Sequence, residues 1–136
     1  MPFLNVSVSA APDAALTNAI AAELSELTQS HLRKDPAVTS VAITYLSPEN
    51  WIVGGASLAS QGRSSFWLDI KVTAGTNTKP EMADYIEGVF AAMGRLLGAL
   101  HETSYIVVHE VPAAAWGFGG KTQEHRFVAG RLKNAA

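Results

Sequence analysis

The chain repeats itself, and this constrains its fold more than any other property. Asn5-Val-Ser-Val-Ser-Ala-Ala lies 64 residues before Asp69-Ile-Lys-Val-Thr-Ala-Gly, and Trp51-x-x-Gly54-Gly55 lies 65 residues before Trp116-x-x-Gly119-Gly120. Each copy opens with apolar and polar residues in strict alternation. In the first, Leu4, Val6 and Val8 alternate with Asn5, Ser7 and Ser9; in the second, Leu68, Ile70 and Val72 alternate with Asp69, Lys71 and Thr73. A period of two is that of a strand with one apolar face. A helical pattern then follows in both copies. Leu16, Ile20, Leu24 and Leu27 form one apolar stripe that runs to about Arg33, where Asp35-Pro36 ends it. Thr78-Lys79-Pro80-Glu81 is a helix start with a capping box and a proline in the first turn. Met82, Ile86, Val89, Phe90, Met93, Leu96 and Leu97 mark that helix's buried face. A second strand closes each copy, near 38–46 and 105–111. Residues 56–65, small and polar, read as a connecting loop.

Two strand–helix–strand units with right-handed crossovers predict an α+β fold. The expected domain is single, covers 1–136, and is made of two βαβ repeats at about 2–55 and 66–120. Its sheet has four strands in mixed directions, with two helices on one face. The helices cover only the apolar side. Asn5, Ser7, Asp69 and Lys71 share the other side, and an edge stays open. Closed association of several copies would cover both, so a homo-oligomer is expected.

Bulk properties then remove function classes. Apolar residues make up 48% and charged residues 16% of 136, and the net charge is −2. That balance excludes disorder, and with no basic stripe it argues against a nucleic-acid partner. No apolar run reaches the roughly 20 residues that cross a bilayer. With no leader pattern visible, a cytoplasmic location is the expectation and no membrane partner is foreseen. The chain has no cysteine, which excludes thiolate metal sites and cysteine nucleophiles. The four histidines show neither HxH nor HExxH spacing, so no metal is expected. Ala115-Trp-Gly-Phe-Gly-Gly120-Lys121-Thr122 matches a relaxed phosphate-loop pattern, but too little chain follows for the helix that chemistry needs.

The start Met1-Pro2-Phe3-Leu4-Asn5-Val6, the doubled βαβ unit and the two aromatic–Gly-Gly turns resemble the tautomerase superfamily. The likeness runs from Pro2 to about Phe127, and it is to the two-repeat members, the group of macrophage migration inhibitory factor and 5-carboxymethyl-2-hydroxymuconate isomerase, related in turn to 4-oxalocrotonate tautomerase. It implies a homotrimer with active sites between subunits and an N-terminal proline exposed once Met1 is removed. The residues agree with such chemistry. A free α-amine titrates near ~8, and burial or a nearby cation lowers that value toward neutrality. Such an amine can take a proton beside a carbonyl and return it elsewhere, without cofactor or metal. By the same resemblance Lys34 pairs the carboxylate of a small anionic keto or enol acid, and Tyr105 donates a hydrogen bond to it. Trp116 stands where the family sets an aromatic pocket wall; it is carried as a substrate contact, with an interface plug as the alternative and the favoured reading for Trp51. Family members that act on haloacrylates or decarboxylate carry arginines after the strand of the second repeat. Here that loop is Gly75-Thr76-Asn77-Thr78. The expectation is therefore a cofactor-independent tautomerase or isomerase with Pro2 as general base and acid. The alternatives are a lyase, dehalogenase or decarboxylase on the same scaffold, or a trimer that binds without catalysis.

Overall fold

The computed structural model describes residues 1–135. Alternation in the sequence becomes strand geometry directly. Strand β1 (Phe3–Val8) and strand β5 (Phe66–Thr73) bury every second residue: Leu4, Val6 and Val8 from one, Phe66, Leu68, Ile70 and Val72 from the other. They pair antiparallel, with Asn5 opposite Asp69. Helix α1 (Ala14–Leu32) follows β1 and returns the chain to β2 (Ser40–Tyr45), parallel to β1. Helix α3 (Lys79–Leu97) does the same between β5 and β6 (Tyr105–Val111). The sheet order is β2-β1-β5-β6. The fold class expected from the repeat is the one observed.

The two long helices lie side by side on the apolar face. Ile20, Leu24 and Leu32 of α1 and Tyr85, Val89 and Met93 of α3 form one core with the strand residues. Contact between the helices is close at Gly88, where a Cβ would lie 3.3 Å from both the His31 and the Leu27 side chains. Capping follows the sequence signals. Asp13 accepts from the Leu16 N–H, and Thr78 and Glu81 complete a reciprocal capping box.

Each repeat ends in a small hairpin. The first is β3 (Ile52–Val53) with β4 (Ala56–Ser57), followed by the four-residue helix α2 (Leu58–Gln61). The segment expected to be a plain loop thus holds a strand and a turn of helix, fixed by Leu58, which is fully buried. The second hairpin pairs β7 (Gly117–Phe118) with β8 (Lys121–Thr122). Gly119 and Gly120 form its turn with φ of 59° and 81°, values that favour glycine at both places. The Gly-Gly-Lys-Thr stretch is therefore a hairpin and not a phosphate cradle. Contrary to the expectation that too little chain remains after Thr122, helix α4 (Gln123–Ala135) follows at once; it is the hairpin before it, and not a missing helix, that rules out the phosphate loop. Helix α4 buries none of its residues, and Phe127, Val128 and Leu132 are exposed.

Candidate active site

Pro2 lies just ahead of β1 and is buried. Its carbonyl accepts the Ser40 N–H at 3.2 Å, which ties the start of the chain to the start of β2. The neighbouring end of β5 and the turn beyond it complete the surroundings. Met1, Lys34, Thr76, Gln123, Glu124 and Phe127 line a cavity of about 400 Å³ there.

Lys34 reaches this cavity because of how α1 stops. Arg33 takes the left-handed conformation, φ 57°, and its N–H bonds back to the Gln29 carbonyl. A non-glycine residue there costs roughly 1–2 kcal/mol, so the turn needs support. Arg33 Nε donates to Glu81 at 2.7 Å, its Nη2 donates to the Thr76 carbonyl at 3.1 Å, and Asn77 Nδ2 donates to the Leu32 carbonyl at 2.9 Å. The paired guanidinium holds the Glu81 carboxyl down to about 2. The reversed chain turns Lys34 across to the β5–α3 turn, where Nζ donates to Thr76 Oγ1 at 2.7 Å. The β5–α3 turn thus supplies the hydroxyl that holds Lys34.

Electrostatics follow from this placement. The N-terminal amine is lowered from its usual value, first by burial and then by the Lys34 ammonium, with Asp35 opposing. The Lys34 ammonium is lowered too, by burial first and Arg33 second. The Met1 amine and a half-desolvated cation thus share one cavity, with Glu124 also in its lining.

Trp116 also comes to this end. Its indole Nε1–H donates to the Met1 carbonyl at 3.0 Å. Gln123, the first residue of α4, donates from Nε2 to Met1 Sδ at 3.3 Å. Its backbone N–H donates to the Trp116 carbonyl at 2.8 Å, so both side chains are set by one closed hairpin. Thr76 and Gln123 were not singled out in the sequence. Neither carries a motif, and only the tertiary return of the second hairpin to the chain's start reveals them.

Tyr105 does not join Pro2 within one protomer. Register pairs Phe3 with Lys71 and Lys71 with His109, whereas Tyr105 pairs with Trp67. That is four residues further along the strand, about 13 Å away. The antiparallel β1–β5 pairing places the start of β6 at the opposite end of the sheet. There Tyr105 is 54% exposed and its ring lies 6.0 Å from that of Trp67.

That opposite end is the repeat-related counterpart of the Pro2 end. Trp51, Asn50, Ile52, Ser7, Leu46 and Trp67 line a cavity of about 290 Å³ there. The residue 64 places after Pro2 is Phe66, buried in mid-chain, whose nitrogen is an amide. On the polar sheet face Asp69 accepts from Lys71 at 3.3 Å and faces His109 Nε2 at 3.2 Å. Among the described residues no group of three His, Asp or Glu side chains is placed to hold a metal ion.

Comparison with known proteins gives the same architecture. Residues 67–126 match the model of the tautomerase enzyme family. A crystal structure of native fused 4-OT superposes with a TM-score of 0.79 at 22% identity, covering 90% of this chain and 97% of that one. A macrophage migration inhibitory factor homologue from Prochlorococcus marinus gives 0.72 at 22%, covering 88% and 97%. A protein solved after inactivation by 2-oxo-3-pentynoate gives 0.79 at 13% identity, covering 91% and 98%. No curated protein matches the chain.

Proposed function

We propose that this chain, a member of the tautomerase superfamily of the two-repeat type, is a tautomerase that moves a proton with the amine of Pro2 after Met1 is removed. One observation carries the reading: the chain's start and Lys34 share a cavity in which burial and the lysine both hold the Met1 amine toward its neutral form. The mature Pro2 nitrogen inherits these neighbours. A 2-hydroxy-enoic acid binds with its carboxylate on Lys34. The amine takes the enol O–H proton, the electrons move to form the C=O, and the resulting ammonium returns the proton to the adjacent carbon. Atoms and charge balance, and the product is the 2-keto acid. The ring of proline fixes the direction of the lone pair.

Structures named as fused 4-OT symmetric and asymmetric trimers support a homotrimer here. In that assembly Tyr105 serves the site of a neighbouring protomer, which resolves its distance from Pro2. The exposed Ile52, Trp67 and Tyr105 supply apolar surface for the contact. The inactivation of one neighbour by 2-oxo-3-pentynoate supports a 2-keto acid pocket.

The test joins two measurements. Intact mass reports whether Met1 is absent, and enol–keto conversion of an arylpyruvate is followed for the wild type and Pro2→Ala. Wild-type conversion with at least about 100-fold loss in the variant is expected. Equal turnover in the two proteins refutes the reading. Incubation with 2-oxo-3-pentynoate is expected to add the whole reagent mass to the N-terminal peptide, through an N–C bond to the alkyne carbon.

A further inference from the structure

We propose that the indole N–H of Trp116 and the side-chain amide of Gln123 form a neutral donor pair that holds and polarises a substrate oxygen beside the Pro2 amine. This rests on the reading of Pro2 as the acid–base group. The observation is what the two donors now hold. Trp116 Nε1–H bonds the carbonyl oxygen of Met1, and the carbon of that carbonyl is the atom bonded to the Pro2 nitrogen. Gln123 Nε2–H bonds the sulfur of the same residue. Met1 therefore fills the space next to the nitrogen, and its C=O marks where a planar carbonyl group meets the indole.

Removal of Met1 frees three things together: the amine, the space, and both donors. A part-buried N–H left without an acceptor is costly, so the pair favours a ligand that brings oxygen to this place. A substrate carbon in contact with the amine sits about 3–3.5 Å from it, instead of at bonding distance. Its oxygen then lies a little further out along the same direction, within reach of the indole. Neutral donors suit a carbonyl or enol oxygen on which charge grows during proton transfer. Lys34, in the same cavity, is left for the carboxylate. The two functions of a 2-keto acid thus meet two different kinds of group.

Rigidity supports the role. The N–H of Gln123 donates to the Trp116 carbonyl at 2.8 Å, and Arg126 Nε donates to the Phe118 carbonyl at 3.1 Å while its guanidinium lies 4.6 Å from the Phe118 ring centroid. The hairpin and the start of α4 are one clamped piece, so the two donors keep a fixed relation. Tryptophan is also the aromatic residue that donates without accepting, which a bare apolar wall does not require.

The test separates donor from wall. Trp116→Phe keeps a ring and removes the N–H; it is expected to lower kcat about 10- to 100-fold with KM within about twofold. Gln123→Leu is expected to give a smaller loss of the same kind. An unchanged kcat in Trp116→Phe overturns the proposal, whereas a full rate in Pro2→Ala overturns the acid–base reading instead. A readout without turnover completes the design. In protein with ¹⁵N-labelled indoles, the Trp116 N–H resonance, identified by its loss in Trp116→Phe, is expected to move on addition of phenylpyruvate. A resonance that stays in place at saturating ligand overturns the donor pair whatever the catalytic result.

Discussion

Thr28 and Tyr85 offer a quantitative check on how α1 is held against α3, and so on what carries Lys34 to its place. Both side chains are completely buried. The Thr28 hydroxyl donates to the Leu24 carbonyl at 2.7 Å, so its single proton is committed. The Tyr85 hydroxyl, 3.0 Å from Thr28 Oγ1, must therefore be the donor of that pair. This direction makes the two deletions unequal. Tyr85→Phe removes a donor and leaves a threonine oxygen that still bonds Leu24; the expected cost is about 1 kcal/mol. Thr28→Val leaves the tyrosine O–H buried with no acceptor and is expected to cost about 2–3 kcal/mol. In the double variant the orphan donor is gone, so its cost is expected to fall short of the sum by about 1 kcal/mol. Urea unfolding at fixed protein concentration measures all four proteins, with equal m-values as the control. Alkaline pH gives a second reading. Burial pushes the Tyr85 hydroxyl up to about 12 from an ordinary value near 10. Between those values the unfolded chain loses the proton and the folded one keeps it. Stability therefore falls as pH rises through this window, by up to about 1.4 kcal/mol per unit, and Tyr85→Phe is spared that loss. Additive single costs, or equal alkaline sensitivity in wild type and Tyr85→Phe, would refute the assignment of donor and acceptor.

Two further outcomes are expected. Activity is expected to rise with pH along an acidic limb centred below the ordinary titration range of an α-amine, and Lys34→Ala is expected to move that limb to higher pH while raising KM at least about tenfold; a limb that stays in place shows that the lysine does not act on the amine. Light scattering is expected to give three times the 14.4 kDa chain mass, with Trp67→Glu shifting the protein to monomer while helix content is kept; an unchanged mass in that variant removes the Ile52–Trp67–Tyr105 patch from the interface.

Most of the sheet was legible because both repeats alternate cleanly and one face has to be dry. Leu4, Val6 and Val8 have no alternative to burial once Leu68, Ile70 and Val72 pair beside them. The helix starts at Asp13 and Thr78 were equally plain, since capping is local chemistry. What escaped was set by distant contacts. The strand and helical turn in 56–65 depend on Leu58 entering the core, which no short pattern announces. Helix α4 follows a glycine-rich hairpin and contains Gly130, so its propensity is weak. Lys34 is expected at the site only through likeness, and what turns it toward the chain's start is the left-handed Arg33, held by Glu81 and Thr76 more than forty residues away. Tyr105 was correctly placed at the head of its strand, but strand order and direction decide which end of the sheet that is.

The position of Phe66 makes the two ends of the sheet chemically unlike. Phe66 stands inside the chain with an amide nitrogen, so the second repeat has no amine at the place that matches Pro2. Its hairpin, with Trp116 and Gln123, is committed to the first half's start. The first half's hairpin, with Trp51, attends a place where no such nitrogen exists. Two hairpins of like sequence thus stand at unlike places: one is hydrogen-bonded to the chain's start, and the other lines a cavity whose walls hold no amine.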